Sequence, residues 1–485
     1  MLSTEKNNKK PNVLIYGAGF GGREILQHFI NKNEYNVVGF IDDNIFDNIV
    51  MGIKVYNPSQ TGEMIRKFNV EIIVLAIPSL SNLRRYEIYN FLDQFNIQVL
   101  TLPNLTEILL NRSSLTQTQV ISPEYLLNRD IVKPIDELLF HDIVNKTVLI
   151  TGGGGSIGSE IARQVVALKP KHLIILDVSE FALYNINNEL SLLSDIKISP
   201  ILGSVLDVIK LRHIFSQYRI DTVYHAAAYK HVPIVEQNPF VGMLNNFIGT
   251  LNCVREATAF GVKSFVLIST DKAVRPTNVM GCSKRMSELA CQAISDISSG
   301  TRISMVRFGN VLGSSGSVIP LFSRQIQEGG PVTVTHPEIT RYFMTIPEAS
   351  QLVIQAGAMG ENGEVFLLDM GKPVKIKELA EQMIKMSGMN VKRHSDEVGI
   401  EIVYSGLRPG EKLYEELLIS GENLERTQHP KIIKASEYKF SLSEIETFEY
   451  EVQKAYINND ITWLIDQLEY FVSGYQKSIF VSSNE

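Results

Sequence analysis

Short apolar runs alternate with amphipathic stretches along most of this chain, and this alternation predicts parallel strands joined by helices. The first set of strands is predicted at 13–16, 37–41, 71–77 and 98–101, with helices at 23–30, 61–68 and 83–95. The alternation begins again at Thr147. The pattern therefore predicts two doubly wound parallel α/β sheets in tandem, both of the Rossmann type.

Each set opens on a glycine-rich turn between a strand and a helix. In the first, Gly17 to Gly22 have the G-x-G-x-x-G spacing, and Asp42 ends the next strand. This arrangement is typical of a nucleotide or nucleotide-sugar site. The alternative is a Rossmann unit kept for docking or oligomer contacts, with glycines that serve only the turn. Because we find no catalytic constellation in this part, the alternative is favoured.

The second glycine-rich turn carries a more specific signal. Gly152, Gly155 and Gly158 have the T-G-x-x-G-x-x-G spacing of short-chain dehydrogenases, and Asp177 ends the next strand. A carboxylate there accepts hydrogen bonds from ribose hydroxyls and repels a 2'-phosphate, so NAD is favoured over NADP. Three alanines at 226–228 follow another strand and allow a flat cofactor to pass close to the backbone.

A chain of 485 residues is too long to fold around a single hydrophobic core. We predict four regions: an N-terminal Rossmann-like nucleotide-binding domain at 12–111, a connector at 112–145, a catalytic domain at 146–440 and a helical tail at 441–485. In the catalytic domain the cofactor part spans about 146–305 and a small substrate lobe about 306–440.

Charge and cysteine content exclude several classes of protein. The formal net charge of -7 provides no general basic field, which argues against nucleic acid as the partner. The three cysteines have no metal-ligand spacing, so no metal site is predicted, and a reducing cytoplasmic setting is expected. No apolar run approaches the roughly 18 residues that would span a bilayer.

The segment 265–284 brings reactive groups together. Ser269 to Lys272 follow an apolar strand, at the edge where open α/β sheets bind ligands. Met280 and Lys284 then lie one turn apart on a predicted helix. A hydroxyl, a carboxylate and two amines are thus expected near one point, although a solvated Asp–Lys pair would give the same pattern.

The second half resembles a known family through four motifs, at 151–158, 225–233, 246–250 and 269–281. It is similar to the extended short-chain dehydrogenases that act on nucleotide sugars, and within them to the bacterial UDP-N-acetylhexosamine 4,6-dehydratases. The resemblance covers about 146–418. One departure is Ser204, where relatives usually carry an Asp that contacts adenine. The predicted cofactor-binding residues are Gly152, Gly155, Ser156, Ile157, Gly158, Asp177, Ser204, Val205, Ala226, Ala227, Ala228 and Lys284.

The resemblance also implies the chemistry. Most short-chain dehydrogenases use a Tyr-x-x-x-Lys pair, but Met280 stands at the tyrosine position here, as it does in the large dehydratases, and a thioether cannot exchange a proton. Thr270 is expected to hold the oxygen on sugar carbon 4, and Asp271 to protonate the leaving hydroxyl on carbon 6. Lys272 is expected to remove the carbon 5 proton, which requires a depressed pKa, with Lys284 and Arg275 as possible causes. Lys284 orients the nicotinamide ribose. The group that takes the first proton stays open between Asp271 and a water.

The substrate-binding residues implied by the resemblance bind UDP or form the walls of the pocket. Asn310, Arg341 and Arg408 are assigned to the diphosphate, because the arginine fork donates bidentately. Glu411 is assigned to ribose hydroxyls. The full set is Lys230, His231, Asn310, Val318, Thr333, Arg341, Arg408 and Glu411. His231 has no visible acidic partner, so it is interpreted as part of the pocket wall.

Together these features predict an oligomeric, NAD-dependent 4,6-dehydratase acting on UDP-N-acetylglucosamine, for polysaccharide or glycan biosynthesis. Membrane association is expected only through a segment that this sequence does not contain. A UDP-sugar 4-epimerase is the enzymatic alternative, but it would need the missing tyrosine. The non-enzymatic alternative is a nucleotide-binding sensor or scaffold.

Overall fold

The computed structural model describes residues 10–80, 82–95, 97–102, 119–120, 132–387, 389–394, 396–416 and 423–476. The chain divides into two compact units. One contains residues 1–131, 321–334 and 377–403, and the other contains 132–320, 335–376 and 404–485. The domain boundaries proposed above stay a prediction, and most of the predicted connector lies outside the described residues.

The first unit contains a seven-stranded sheet in the described part of the chain, in the order β3-β4-β2-β1-β5-β6-β7. The strands are β1 (Asn12–Tyr16), β2 (Asn36–Ile41), β3 (Ile49–Val50), β4 (Ile53–Tyr56), β5 (Ile72–Leu75), β6 (Gln98–Thr101) and β7 (Gln119–Val120). The helices are α1 (Phe20–Lys32), α2 (Thr61–Phe68) and α3 (Asn82–Asp93), with a 3-10 turn at Pro58–Gln60. The strands β4, β2, β1, β5 and β6 are parallel, while β3 and β7 pair antiparallel at the edges. This is the predicted Rossmann-type sheet.

The second sheet has nine strands among the described residues, in the order β10-β9-β8-β11-β12-β13-β18-β23-β22. Its strands are β8 (Thr147–Thr151), β9 (His172–Asp177), β10 (Ile198–Leu202), β11 (Thr222–His225), β12 (Ser264–Ile268), β13 (Arg302–Arg307), β18 (Asn362–Leu368), β22 (Asn423–Arg426) and β23 (Ile432–Ser436). The first seven are parallel, and β23 and β22 add antiparallel. The direction of strand succession reverses beside β8, and this is where such sheets bind ligands.

The helices after α3 follow in chain order. They are α4 (Asp136–His141), α5 (Ser156–Ala167), α6 (Glu180–Leu193), α7 (Val208–Tyr218), α8 (Val232–Gln237), α9 (Pro239–Met243), α10 (Gly249–Ala259), α11 (Val279–Ile297), α12 (Val318–Gln327), α13 (Ile346–Met359), α14 (Ile376–Met386), α15 (Leu442–Asn458) and α16 (Ile461–Phe471). A π-helical turn at Leu244–Ile248 joins α9 to α10. Short strands complete the described elements: β14 (Asn310–Val311), β15 (Val332–Val334), β16 (Thr340–Arg341), β17 (Phe343–Met344), β19 (Val374–Lys375), β20 (Val391–Lys392) and β21 (Ile400–Tyr404).

The core explains the continuous apolar runs in the sequence. In β8, Leu149 belongs to the hydrophobic cluster on one face, while Val148 and Ile150 belong to the cluster on the other. All three are fully buried. A strand covered on both faces can be apolar at every position, and each such side chain contributes about 1.5–3 kcal/mol.

The predicted helical tail packs into the same core. Phe448 and Leu464, from α15 and α16, are buried in the cluster that contains Met280 and Met286 of α11. Trp463 stacks on Phe448, with ring centroids 6.1 Å apart, which agrees with a packing role. Among the described residues, no helix is long and apolar enough to cross a bilayer.

Candidate active site

A cavity of about 250 Å³ opens at the point where the strand order of the second sheet reverses. It is lined by Gly152, Gly154, Gly155, Leu176, Asp177, Val178, Ser179, Ala182, Gly203, Val205, Ala226, Ala227, Ala228, Tyr229 and Asn245. Seven of the predicted cofactor residues are in this lining: Gly152, Gly155, Asp177, Val205, Ala226, Ala227 and Ala228. The structure therefore brings the glycine-rich turn, the acidic strand end and the three alanines together.

Close backbone packing fixes the glycine-rich turn. Gly152 has φ +67°, and a Cβ there would lie 2.6 Å from the backbone nitrogen of Ala227. A Cβ at Gly158, in the first turn of α5, would lie 2.2 Å from the carbonyl oxygen of Gly152. Only glycine fits these positions. The turn and the start of α5 form a cradle in which backbone N–H groups can bind the phosphates of a dinucleotide.

Asp177 lies at the rim of the same cavity. Its Oδ2 accepts a hydrogen bond from the backbone N–H of Gly154 at 2.8 Å, and its Oδ1 accepts one from Ser179 at 2.8 Å. The carboxylate is thus fixed between the glycine-rich turn and the start of α6. Its position suits ribose hydroxyls and would repel a 2'-phosphate, so the residues present fit a dinucleotide such as NAD.

The other predicted cofactor residues lie outside that lining. Ser156 and Ile157 are in the first turn of α5 with Gly158. Ser204 accepts a hydrogen bond from Leu206 N, a local turn contact. Lys284 is 5% exposed on α11, and burial lowers its pKa to about 8.

Asn246 joins the alanine segment to α11. Its side chain accepts a hydrogen bond from Tyr229 N (2.8 Å) and donates to Tyr229 O (2.9 Å) and to the hydroxyl of Ser283 (2.9 Å). The residue lies in the π-helical turn, a feature frequent at functional sites. These contacts hold the loop after β11 against the helix that carries Met280.

His225 is a buried residue to which sequence reasoning gave no role. Its ring nitrogens contact the hydroxyls of Thr151 at 2.7 Å and Thr250 at 3.0 Å. Burial, with the charge of Lys284, lowers its pKa to about 3. His225 is therefore neutral and connects β11 to β8 and α10.

The segment after β12 is held in a tight turn. Thr270 accepts a hydrogen bond from the backbone N–H of Lys272 at 3.3 Å and donates to Asp271 Oδ1 at 3.0 Å. The Asp271 N–H donates to Phe308 O at 3.1 Å. Met280, 3% exposed, then follows on α11. The structure brings together the Thr270 hydroxyl, the Asp271 carboxylate and the Lys272 amine, three of the four groups expected at this strand end, while the second amine, that of Lys284, lies on α11.

A cluster of charges surrounds Lys272. Its Nζ lies 3.2 Å from Asp271 Oδ1 and 2.8 Å from Glu415 Oε1, and it donates to Asn310 Oδ1 at 3.2 Å. Sequence reasoning gave Glu415 no role. The spacing of Glu411 and Glu415, four residues apart in a segment with Arg408, was the available signal. We call Asp271, Lys272, Asn310, Arg341 and Glu415 the charged cluster.

Arg341 binds carboxylates in this structure. Its Nη2 lies 3.1 Å from Glu411 Oε1, its Nε lies 3.1 Å from Glu415 Oε1, and Nη1 donates to the carbonyl of Thr340 at 2.7 Å. Arg341, which was predicted to bind the diphosphate, therefore pairs with two glutamates of the substrate lobe. Glu411 also accepts hydrogen bonds from the Arg408 backbone N–H and from Thr335.

The protonation of the cluster corrects one expectation. Burial and the neighbouring Glu415 raise the pKa of Asp271 to about 7. Burial lowers the pKa of Lys272, but the charges of Asp271 and Glu415 outweigh it and raise that pKa above its ordinary value. The predicted depressed pKa of Lys272 is wrong for this structure, because two carboxylates stabilise the ammonium.

The remaining predicted substrate residues are placed as follows. The pKa of Lys230 is lowered by burial and by the charge of Lys272, so the two amines are neighbours. The His231 ring packs on Gly316, where a Cβ would lie 2.4 Å from ring Cε1. Arg408 is exposed, and Val318 begins α12, half-buried. Thr333 lies in the other unit, where it exchanges two hydrogen bonds with Gln325.

The first glycine-rich turn is satisfied internally. Asp42 accepts hydrogen bonds from the backbone N–H groups of Ala18 (2.7 Å), Asn44 (2.9 Å) and Ile45 (2.9 Å). A Cβ at Gly22 would lie 1.9 Å from Gly17 O. These contacts favour the interpretation in which the glycines and Asp42 stabilise the turn itself.

Comparisons with known proteins show what this chain is similar to. Residues 148–437 match the family described as polysaccharide biosynthesis protein, and residues 12–92 match the PglD N-terminal domain. The chain is 42% identical to the capsular polysaccharide biosynthesis protein CapD of Staphylococcus aureus, over 90% of this chain and 74% of that protein. It is 33% identical to a UDP-glucose 4-epimerase of Rickettsia bellii, over 58% of this chain and 79% of that protein.

The chain is also similar to solved structures. The X-ray structure of Pen from Bacillus thuringiensis matches with a TM-score of 0.54 and 35% identity, over 61% of this chain and 89% of that one. The predicted family resemblance is confirmed. The chain belongs to the polysaccharide biosynthesis protein family, within the extended short-chain dehydrogenases.

Proposed function

We propose that this member of a superfamily of nucleotide-sugar dehydratases and epimerases catalyses the 4,6-dehydration of a UDP-N-acetylhexosamine, most suitably UDP-N-acetylglucosamine. The product is a UDP-4-keto-6-deoxy sugar for polysaccharide or glycan biosynthesis. One observation carries the proposal: a carboxyl group and an amine, Asp271 and Lys272, meet at a strand end where Met280 replaces the usual tyrosine. Removal of water needs both an acid and a base near adjacent carbons.

The cofactor is NAD, which when bound takes a hydride from carbon 4 of the sugar and returns it to carbon 6. Gly152, Gly155, Asp177 and Ala226–Ala228 would hold it, because they line the cavity at the switch point. Lys284 would donate to the nicotinamide ribose. Its lowered pKa of about 8 still leaves it mostly protonated at neutral pH.

Asp271 is suited to handle the proton that leaves carbon 4 and the hydroxyl that leaves carbon 6. A carboxyl group with a pKa of about 7 is close to half ionised at neutral pH. It accepts the proton of the carbon 4 hydroxyl, with Thr270 holding that oxygen, and then gives the proton to the carbon 6 hydroxyl, which leaves as water. This assigns to Asp271 the first proton that the sequence left open.

Lys272 is proposed to take the proton from carbon 5 and later return it. The ketone at carbon 4 acidifies that proton. When Asp271 accepts a proton it loses its negative charge, so one of the two carboxylates that stabilise the ammonium disappears. The pKa of Lys272 then falls toward the range in which an amine can act as a base.

UDP binding is assigned to two basic side chains, those of Lys230 and Arg408. Lys230 is a cation next to Lys272, and Arg408 is exposed. Arg341 is engaged by Glu411 and Glu415, so its proposed part is to hold the substrate lobe in place. We also propose a cytoplasmic setting, and the three free, buried cysteines support it because thiols stay reduced there.

The epimerase similarity supplies a second candidate, but the absence of a tyrosine at position 280 argues against it. The test incubates the protein with UDP-N-acetylglucosamine and follows the products by mass spectrometry. Loss of one water supports the dehydratase, whereas an unchanged mass with a galacto product supports the epimerase. No reaction with any UDP-sugar would overturn both and favour a nucleotide-binding sensor.

A further inference from the structure

The carboxylate of Glu415 is buried in the charged cluster, with 4% of its side chain exposed. Its Oε1 lies 2.8 Å from Lys272 Nζ and 3.1 Å from Arg341 Nε, and its Oε2 accepts a hydrogen bond from Asn310 Nδ2 at 3.1 Å. Both oxygens thus meet donors, and Glu415 bridges the loop after β12, β14 and β16.

The partner carboxyl group is differently placed. Asp271 Oδ1 meets Thr270 and Lys272, but Oδ2 is buried and receives no hydrogen bond from the described residues. Asp271 also interacts with Glu415 through their side chains. A proton on Asp271 relieves the repulsion between two carboxylates in one buried site.

We propose that Glu415 is a positioning residue that accepts the proton of Lys272, so that the free amine can take the proton from carbon 5, and that its negative charge makes Asp271 easier to protonate. This inference rests on the proposed function. Glu415 acts on the sugar only through these two side chains.

The step balances without a further reactant. The ammonium of Lys272 gives one proton to Glu415 Oε1, and the amine lone pair then takes the proton from carbon 5. Of the two carboxylates at Nζ, Glu415 is the closer, at 2.8 Å against 3.2 Å for Asp271. After reprotonation of carbon 5, Glu415 returns its proton to Lys272, and the cluster regains its starting charges.

The charges around Glu415 determine the direction in which the pKa of each neighbour should change when Glu415 is replaced. Lys272 and Arg341 contact it directly, Asp271 lies beside it, Glu411 acts through Arg341, and Lys412 lies on its own segment. Removal of its negative charge leaves Asp271 without its like-charged neighbour, so the pKa of Asp271 falls. Lys272 loses a counter-ion, so its pKa falls as well.

The first test measures the pH profile of kcat/KM with UDP-N-acetylglucosamine for Glu415→Gln. Asp271 must be ionised to accept the carbon 4 proton, so activity of the wild type rises through about pH 7. In Glu415→Gln we expect this acid limb to move down by about one unit or more. We also expect kcat to fall by at least about tenfold, with a smaller change in KM.

Two variants control for a merely structural effect. Glu416→Gln removes the same charge from the next residue, whose side chain is 42% exposed and lies 3.8 Å from Lys412, and its acid limb should stay in place. Glu415→Asp keeps the charge, so it should retain the limb of the wild type. An acid limb that stays at the wild-type pH in Glu415→Gln would overturn the proposal.

A substrate-free measurement separates this inference from the proposed function. The Asp271 carboxyl signal is followed by carbon-13 NMR in aspartate-labelled protein and assigned with Asp271→Asn. A lower titration midpoint in Glu415→Gln supports the effect of Glu415 even if no UDP-sugar is dehydrated, which would refute only the proposed function. An unchanged midpoint refutes the role of Glu415 whatever the activity.

Discussion

Replacing Lys272 by alanine removes the proposed base, while Glu415 and Asp271 keep their other contacts. Glu415 keeps its contacts with Arg341 and Asn310, both at 3.1 Å, and Asp271 keeps Thr270 at 3.0 Å. Asp271 loses the ammonium that lies 3.2 Å from its Oδ1 and becomes more easily protonated. The free energy of unfolding should therefore fall by no more than about 1–3 kcal/mol.

The effect on turnover should be much larger. A positioned general base contributes about 10²–10⁴-fold, so kcat for water loss should fall by that factor in Lys272→Ala. Bound NAD, released by heat and measured by chromatography, should stay at the wild-type amount, because Lys272 does not line the cavity at the switch point. Thermal unfolding of the same samples checks the stability estimate.

Lys431→Ala is the matched control. The side chain of Lys431 is 24% exposed, like that of Lys272, and it pairs with Asp369 at 2.6 Å, but it lies outside the charged cluster. Its turnover should match the wild type. If Lys272→Ala turned over as fast as this control, Lys272 would not be the base and the assignment would be wrong.

Three further substitutions test the cofactor cavity and the buried ion pair between Arg307 and Glu288. Gly152→Ala should abolish NAD binding, measured by calorimetry, since its Cβ would lie 2.6 Å from Ala227 N at φ +67°. Asp177→Ala should weaken binding of NAD more than that of NADP, because the charge that repels a 2'-phosphate is removed; an unchanged preference would contradict this role. Arg307→Met should lower the unfolding free energy by about 3–5 kcal/mol in denaturant titrations, because it leaves the fully buried Glu288 without its bidentate partner. A loss under about 1 kcal/mol would refute that estimate.

Local sequence patterns were sufficient to predict the sheets. The apolar runs at 147–150 and 172–176 became β8 and β9, because strands covered on both faces need apolar residues at every position. The glycine spacing predicted the turn before α5, since only glycine permits the contact of Gly152 with Ala227. These signals lie within a few residues of the structure they determine.

The charged cluster was less predictable, because its members are brought together by folding. Glu415 lies 143 residues after Lys272 in the chain, and no local pattern indicates that their side chains meet at 2.8 Å. For the same reason the expected depression of the Lys272 pKa was wrong. The sequence places Asp271, Lys284 and Arg275 nearby, but the fold adds the carboxylate of Glu415, and the two carboxylates together outweigh the effect of burial.

The proposed reaction is defined by the path of the hydrogen on carbon 4, which moves to the cofactor and returns to carbon 6. UDP-N-acetylglucosamine deuterated at that carbon should be converted by the protein in ordinary water, and the product examined by NMR. We predict deuterium on carbon 6 of a product that has lost one water. A dehydrated product with no deuterium on carbon 6, or a 4-epimer of unchanged mass, would contradict the central claim.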